Sequence, residues 1–243
     1  MNTVNMEMLT LSTLGTTLWP IVREPDRGGR LRTGASSRRR SRSTRRPASY
    51  HHGDLPRALL DAALRIVETQ GAEGLTLRAV ARSAGVSQAA PYRHFANKEA
   101  ILAAVATEGF RSLMAAMADS IATAGAGPLQ RLHAVGLAYV LFATSHPAHF
   151  RVMFGRDMAD RSASASLRQI ATDTFNIVVN AVADCQRAGF ARFEEPAESL
   201  ALAAWSSVHG LSTLLVEGVL DRPVAEVAEL VTRDLYLGLG RRP

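Results

Sequence analysis

The chain reads as an all-α protein, with an amino-terminal three-helix helix-turn-helix domain and a larger carboxy-terminal helical bundle. Three observations carry that reading. Alanine, leucine and valine dominate a hydrophobic content of 47% while aromatics reach only 6%, a balance that favours helices over a sandwich or barrel. From Leu55 onward the apolar residues recur with a helical period. Glycine and proline then punctuate the periodic stretches at helix-length intervals. With 243 residues the chain can bury one sizeable core or two modest ones.

The first segment does not share that pattern. Residues 1–50 hold ten arginines against three acids, a net of +7, whereas residues 51–243 hold 18 basic and 19 acidic residues, a net of −1. Residues 1–49 therefore read as a disordered basic tail around "SSRRRSRSTRR", able to attract nucleic-acid phosphates without reading sequence. The alternatives are a solvated tail without a role and a start codon assigned too far upstream. Leu9–Val22 has no basic residue before it and arginines after it, unlike an export signal, so a cytoplasmic location is expected. The single cysteine, Cys185, excludes an internal disulfide and reads as a small core residue.

Residues 50–97 form the expected DNA-binding domain. Leu59, Ala63, Ile66 and Val67 share one face of a first helix that ends at Gln70-Gly71. Thr76 caps a second helix carrying Leu77, Val80 and Ala81, and Gly85 closes it. A third helix is expected from Ser87 through Tyr92 to Phe95. Two short helices separated by Gly85-Val86 make a helix-turn-helix pattern. Val86 and Phe95 then serve as anchors, leaving Gln88, Ala89, Tyr92, Arg93 and His94 to face outward. Glutamine suits the edge of adenine, alanine or the Pro91 ring a thymine methyl, and tyrosine and histidine phosphate oxygens. Asn97 caps a fourth helix with Lys98 in its first turn, where a cation opposes the helix dipole unless an anion binds there.

The segment "GLTLRAVARSAGVSQAAPYRHFANKEAILAAV", residues 74–105, resembles the amino-terminal domain of TetR-type transcriptional regulators. That resemblance implies phosphate contacts from Thr76, Arg78, Tyr92 and Lys98, with Ser87, Gln88, Ala89 and His94 at or near base edges. Pro91 departs from the family's usual small residue or leucine before the tyrosine. Further on, "HPAHFRVMFG" and "AWSSVHGLSTLLVEG" are similar to a subgroup whose effector domain carries a tryptophan, histidine, glycine signature, here Trp205, His209 and Gly210.

Residues 98–243 are expected to form the ligand-binding and dimerisation domain, with helices near 98–124, 128–145, from 147, 162–188, 196–218 and 223–238. The uncharged stretch Ser199–Val216 approaches membrane-spanning length, but seven of its positions are Ser, Thr, His or Gly, so it reads as a buried helix and no membrane partner is expected. In this helix Ala201, Ala204, Val208, Leu211 and Leu215 make one stripe, and Ala203, Ser207, Gly210 and Leu214 a second. A helix with two such faces needs two neighbours. Together with Val227, Val231 and Leu235 of the last helix, the second stripe predicts a two-fold, four-helix homodimer interface, the alternative being a wholly intramolecular bundle.

The resemblance also implies an effector pocket, for which Tyr139, Phe142, Phe150, Met153, Phe154, Phe175, Trp205 and His209 are the candidate lining, although aromatic residues at helical spacing also serve as plain core. The expected activity is sequence-specific binding to a double-stranded, palindromic DNA operator, with a repressor released by a small apolar effector. A non-specific nucleic-acid-binding protein acting through the arginine tail is the alternative. No cofactor is expected. A metal site built from His133, His146, His149 and His209 is disfavoured, and no G-x-S-x-G, phosphate-loop or H-E-x-x-H motif suggests an enzyme.

Overall fold

In the computed structural model the described residues, 55–155, 165–190 and 194–239, form α-helices joined by turns and loops, with no strand among them. The basic tail at 1–49, the start of the DNA-binding domain at 50–54 and the expected helix start near 162 lie outside the described residues.

Local chemistry sets the first boundaries. Helix α1 (Leu55–Gln70) ends where Gly71, at φ +73°, donates its N–H to the Val67 carbonyl at 3.0 Å. Helix α2 (Leu77–Ala84) begins where the Thr76 hydroxyl oxygen accepts the Ala79 N–H at 3.1 Å, and it ends at Gly85, φ +69°. The buried Leu59, Ala63, Ile66 and Val67 of α1 pack with Leu77, Val80 and Ala81 of α2.

The expected third α-helix is a correction. After Ser87 the chain makes a turn and then a 3₁₀ helix, Pro91–Arg93, held by i→i+3 bonds from Ala90 N–H to Ser87, Arg93 to Ala90 and His94 to Pro91. Pro91 lacks the N–H that would bond to the Ser87 carbonyl, so the first α-turn cannot close.

Helix α3 (Lys98–Thr123) starts at Asn97, whose Oδ1 accepts the Ala100 N–H at 2.8 Å. It packs against α1 and then against α4 (Pro128–Ser145), α5 (Pro147–Phe154) and α6 (Ala165–Arg187). Helices α7 (Ala197–Val216) and α8 (Val224–Leu239) pack on α4 and on each other. Both α3 and α7 are long and apolar enough to cross a membrane, yet each is packed among neighbouring helices of the bundle.

Two glycines set helix spacing. A Cβ on Gly109 of α3 would lie 2.5 Å from the Met153 sulfur, and one on Gly136 of α4 would lie 2.8 Å from Cγ2 of Thr232 on α8. The second approach brings α8 close against its own chain, so Val227 is buried while Val231 and Leu235 pack on the core. Val231 and Leu235 remain half-buried, each with part of its surface open. Leu230 of α8 is exposed. On α7 the two expected faces separate: Ala201, Ala204, Val208 and Leu211 are buried, while Ala203, Ser207, Gly210 and Leu214 are exposed.

Candidate nucleic-acid interface and effector cavity

The segment between the two caps builds one surface. Thr76, Arg78, Ser87, Gln88, Ala89, Tyr92, Arg93 and His94 are all exposed, Tyr92 to 53%, and Lys98 is half-buried at the start of α3. Their footing lies beneath them: Val86 and Phe95 pack against the core and Pro91 is buried. The proline ring therefore anchors the turn and does not face outward as a contact for thymine. Because the Thr76 oxygen is occupied as an acceptor by the cap, its hydroxyl proton remains for a donor role. From Thr76 to Lys98 the sequence holds Arg78, Arg82, Arg93 and Lys98 and no aspartate or glutamate. Arg82, also exposed, escaped the sequence reading, and that acid-free run was the signal that would have found it. Such a surface suits a polyanion, with side chains able to reach both phosphates and base edges.

The effector candidates divide into three groups. Tyr139 and Trp205 line a small cavity of about 20 Å³ between α3, α4, α6, α7 and α8, whose other walls include Met117, Leu132, Val178 and Val208. That volume holds about one water molecule. Phe150 and His209, with Phe154, form an aromatic cluster on Tyr139. Phe150 meets the Tyr139 ring edge-on at 6.2 Å, and His209 lies 4.6 Å from the Phe154 ring centre. Phe175 borders Trp205 at 5.7 Å. Phe142 and Met153 belong elsewhere: Phe142 stacks on His146 at 4.8 Å and Met153 is buried over Gly109. The Phe142 contact is an i, i+4 one at the end of its own helix, whereas helical periodicity does not reveal that Met153 meets α3.

At the heart of the cluster the Tyr139 hydroxyl and His209 Nδ1 are 2.7 Å apart, a hydrogen bond between helices α4 and α7. Burial pushes the Tyr139 phenol well above its ordinary range and lowers His209, so both are neutral near pH 7. Burial likewise raises the Cys185 thiol to about 11, in keeping with an inert core residue. Of the histidines considered for a metal, His146 and His149 are neighbours with ring centres 6.1 Å apart, while His133 lies 3.3 Å from Glu229 and His149 faces Glu108 at 3.9 Å. No group of three potential ligands converges among the described residues.

The two regions are tied together by charge as well as by α3. Arg57 of α1 donates to Glu108 of α3 at 2.6 Å, and the same carboxylate oxygen faces His149 of α5. Burial lowers the His149 pKa, with Glu108 opposing that shift. Farther along α5, Arg151 donates to Glu217 at 3.0 Å and to the Val216 carbonyl at 2.9 Å, fastening α5 to the end of α7.

Comparison with known proteins places these regions in context. Residues 59–105 match the family described as bacterial regulatory proteins, tetR family, and residues 132–235 match the tetracyclin repressor-like C-terminal domain. The chain is 38% identical over 82 residues to the HTH-type transcriptional regulator BetI of Rhizobium meliloti (strain 1021), a match covering 32% of this chain and 38% of that one. It thus spans less than half the length of that curated relative. A protein of unknown function from Rhodococcus sp. RHA1 is 35% identical, with a TM-score of 0.71 over 80% of this chain and 100% of that one. A tetR-family regulatory protein from Rhodococcus RHA1 shares the fold at 23% identity, with a TM-score of 0.64 over 77% of this chain and 97% of that one.

Proposed function

The chain belongs to the TetR family of bacterial transcriptional regulators and is a DNA-binding regulator, and from that premise we propose that it acts as a cytoplasmic homodimeric repressor, released from a palindromic operator by a small, mainly apolar effector. The observation that carries the DNA-binding half is the exposed, acid-free surface from Thr76 to Lys98, mounted on the inward-packed Val86, Pro91 and Phe95. In this reading Thr76, Arg78, Tyr92 and Lys98 hold phosphates, Ser87, Gln88, Ala89 and His94 meet base edges, and Arg82 and Arg93 add positive charge.

Dimerisation is supported by the exposed stripe Ala203, Ser207, Gly210 and Leu214 of α7, together with the exposed Leu202 on α7 and Leu230 on α8. Small residues let two copies of α7 approach closely, and the leucines supply apolar area. Two-fold pairing presents two recognition segments, which is why the operator is expected to be palindromic. Effector release is supported by the cavity beside Tyr139 and Trp205, since a ligand that must open it favours a different helix arrangement from the one that fits the operator.

Selection of bound sequences from random duplex DNA tests this function, run with the full chain and with the chain from Ala48 onward at near-physiological salt. Enrichment of one palindrome by both supports a site-specific dimer. Binding that needs residues 1–47 and enriches no sequence replaces it with non-specific attachment through the basic tail.

A further inference from the structure

The walls of the cavity restrict what can enter it. Among its lining residues there is no lysine or arginine. Two of its polar groups are engaged within the protein, the Tyr139 hydroxyl by His209 at 2.7 Å and the Thr232 hydroxyl as donor to the Ala228 carbonyl at 2.7 Å; the other polar side-chain atoms of the lining belong to the His133 ring and the Trp205 indole. His133, at one side of the lining, sits 3.3 Å from the Glu229 carboxylate. A carboxylate or phosphate carried inside would lose its hydration without gaining a cation. An ammonium would be desolvated against methyl and methylene groups, since no carboxylate is among the lining residues.

The cavity is also too small for anything beyond a water molecule unless a wall yields. The apolar lining side chains that reach the surface are Trp205 and Leu235. Trp205 lies edge-on to Tyr139 at 4.9 Å and to Phe175 at 5.7 Å, so displacing its ring joins the cavity to the aromatic cluster.

We propose that this cavity takes an uncharged, hydrocarbon-rich molecule by displacing Trp205, and that it rejects the same hydrocarbon when it carries a carboxylate, phosphate or ammonium head. This rests on the ligand-responsive reading above and narrows it to one class of chemistry.

The test uses three probes with one ten-carbon chain: decan-1-ol, decanoate and decylammonium, each below its aggregation limit. The protein is the full chain with Trp19→Phe, which leaves Trp205 as its sole tryptophan. Binding is read from Trp205 emission and from the shift in melting temperature, and DNA affinity is measured alongside. The alcohol is expected to change Trp205 emission and raise the melting temperature, with the two ions weaker by on the order of 100-fold or more. Ala204→Leu, which fills the cavity, should abolish the response to the alcohol while melting cooperatively. Should that variant not fold, the comparison of the three probes decides alone.

Equal or tighter binding of either ion overturns the proposal, as does the absence of binding by all three. Stabilisation by the alcohol without a change in Trp205 emission overturns the assignment to this cavity. If an ion binds best and releases DNA, the proposed chemistry falls and ligand-responsive regulation stands. If the alcohol binds selectively while DNA affinity is unchanged, the cavity preference stands and ligand-responsive regulation falls.

Discussion

Replacing Tyr139 with phenylalanine deletes one oxygen from the centre of the aromatic cluster and keeps the ring that Phe150, Trp205 and His209 pack against. Tyr139 is 1% exposed, so no water replaces the missing partner on its side. The 2.7 Å bond to His209 is worth about 1 kcal/mol net, and a half-buried Nδ1 left unpaired raises the total to about 1–3 kcal/mol. At about 3 °C per kcal/mol for a chain of this size, the melting temperature should fall by roughly 3–9 °C. The assay is thermal unfolding at pH 8, where His209 is neutral, of Tyr139→Phe, His209→Leu and the double variant. Removing both polar ends should cost less than the sum of the single changes, because the second substitution removes the group that the first left unpaired. A Tyr139→Phe protein that melts within about 1 °C of the parent, or a double variant additive to about 0.3 kcal/mol, would refute the idea that this bond ties α4 to α7.

Three further outcomes follow from the geometry. Tyr92→Ala and Lys98→Ala should each weaken operator binding, and Lys98→Ala, on the proposed phosphate contact, should lower the logarithmic salt slope by about 1, with stability changing by less than about 0.5 kcal/mol in either variant; anisotropy titrations across potassium chloride concentrations measure this, and unchanged affinity in both variants would mean that the DNA does not sit on this surface. Gly136→Ala places a methyl 2.8 Å from Thr232 Cγ2 and should destabilise by about 1–3 kcal/mol in urea unfolding, while an unchanged midpoint would show that α4 and α8 are less closely set. Burial lowers both His149 and His209 below the ordinary histidine value of 6.5. The unfolded chain therefore takes up protons first, so their contribution is fully present above about pH 6.5 and is lost as pH falls toward the depressed folded values. Urea midpoints from pH 8 to 5 should decline less steeply in His149→Gln, and an identical slope would exclude that group as a source.

The boundaries of most helices were legible because capping is local chemistry: Thr76, Gly85, Asn97, Pro128 and Pro147 each mark an end through their own backbone or side chain. The third helix was not, because the cap signal at Ser87 took no account of the donor missing four residues later at Pro91. Outward placement of Gln88, Ala89, Tyr92, Arg93 and His94 nevertheless agreed with the structure, since Val86 and Phe95 fix the orientation whether the turn is α or 3₁₀. Long-range partners were the illegible part. The period of α5 shows which side of the helix is apolar, but assigning Met153 to Gly109 of α3 requires the helix crossing. The same holds for Arg57 and Glu108, separated by 51 positions, and for α8, whose inward turn depends on a glycine in a different helix.

Helix α3 carries Lys98 in its first turn and Met117, 19 positions further on, in the cavity wall. At 1.5 Å per residue that is a stiff arm of about 28 Å joining the two working ends of one chain. A tilt of about 5° about the Met117 end carries Lys98 through about 2.5 Å, close to the full length of the hydrogen bond it would have to keep with a phosphate. Under the proposed ligand-responsive reading, a change at the cavity too slight to disturb the fold would be magnified along the helix into a misfit at the DNA, with no large rearrangement required.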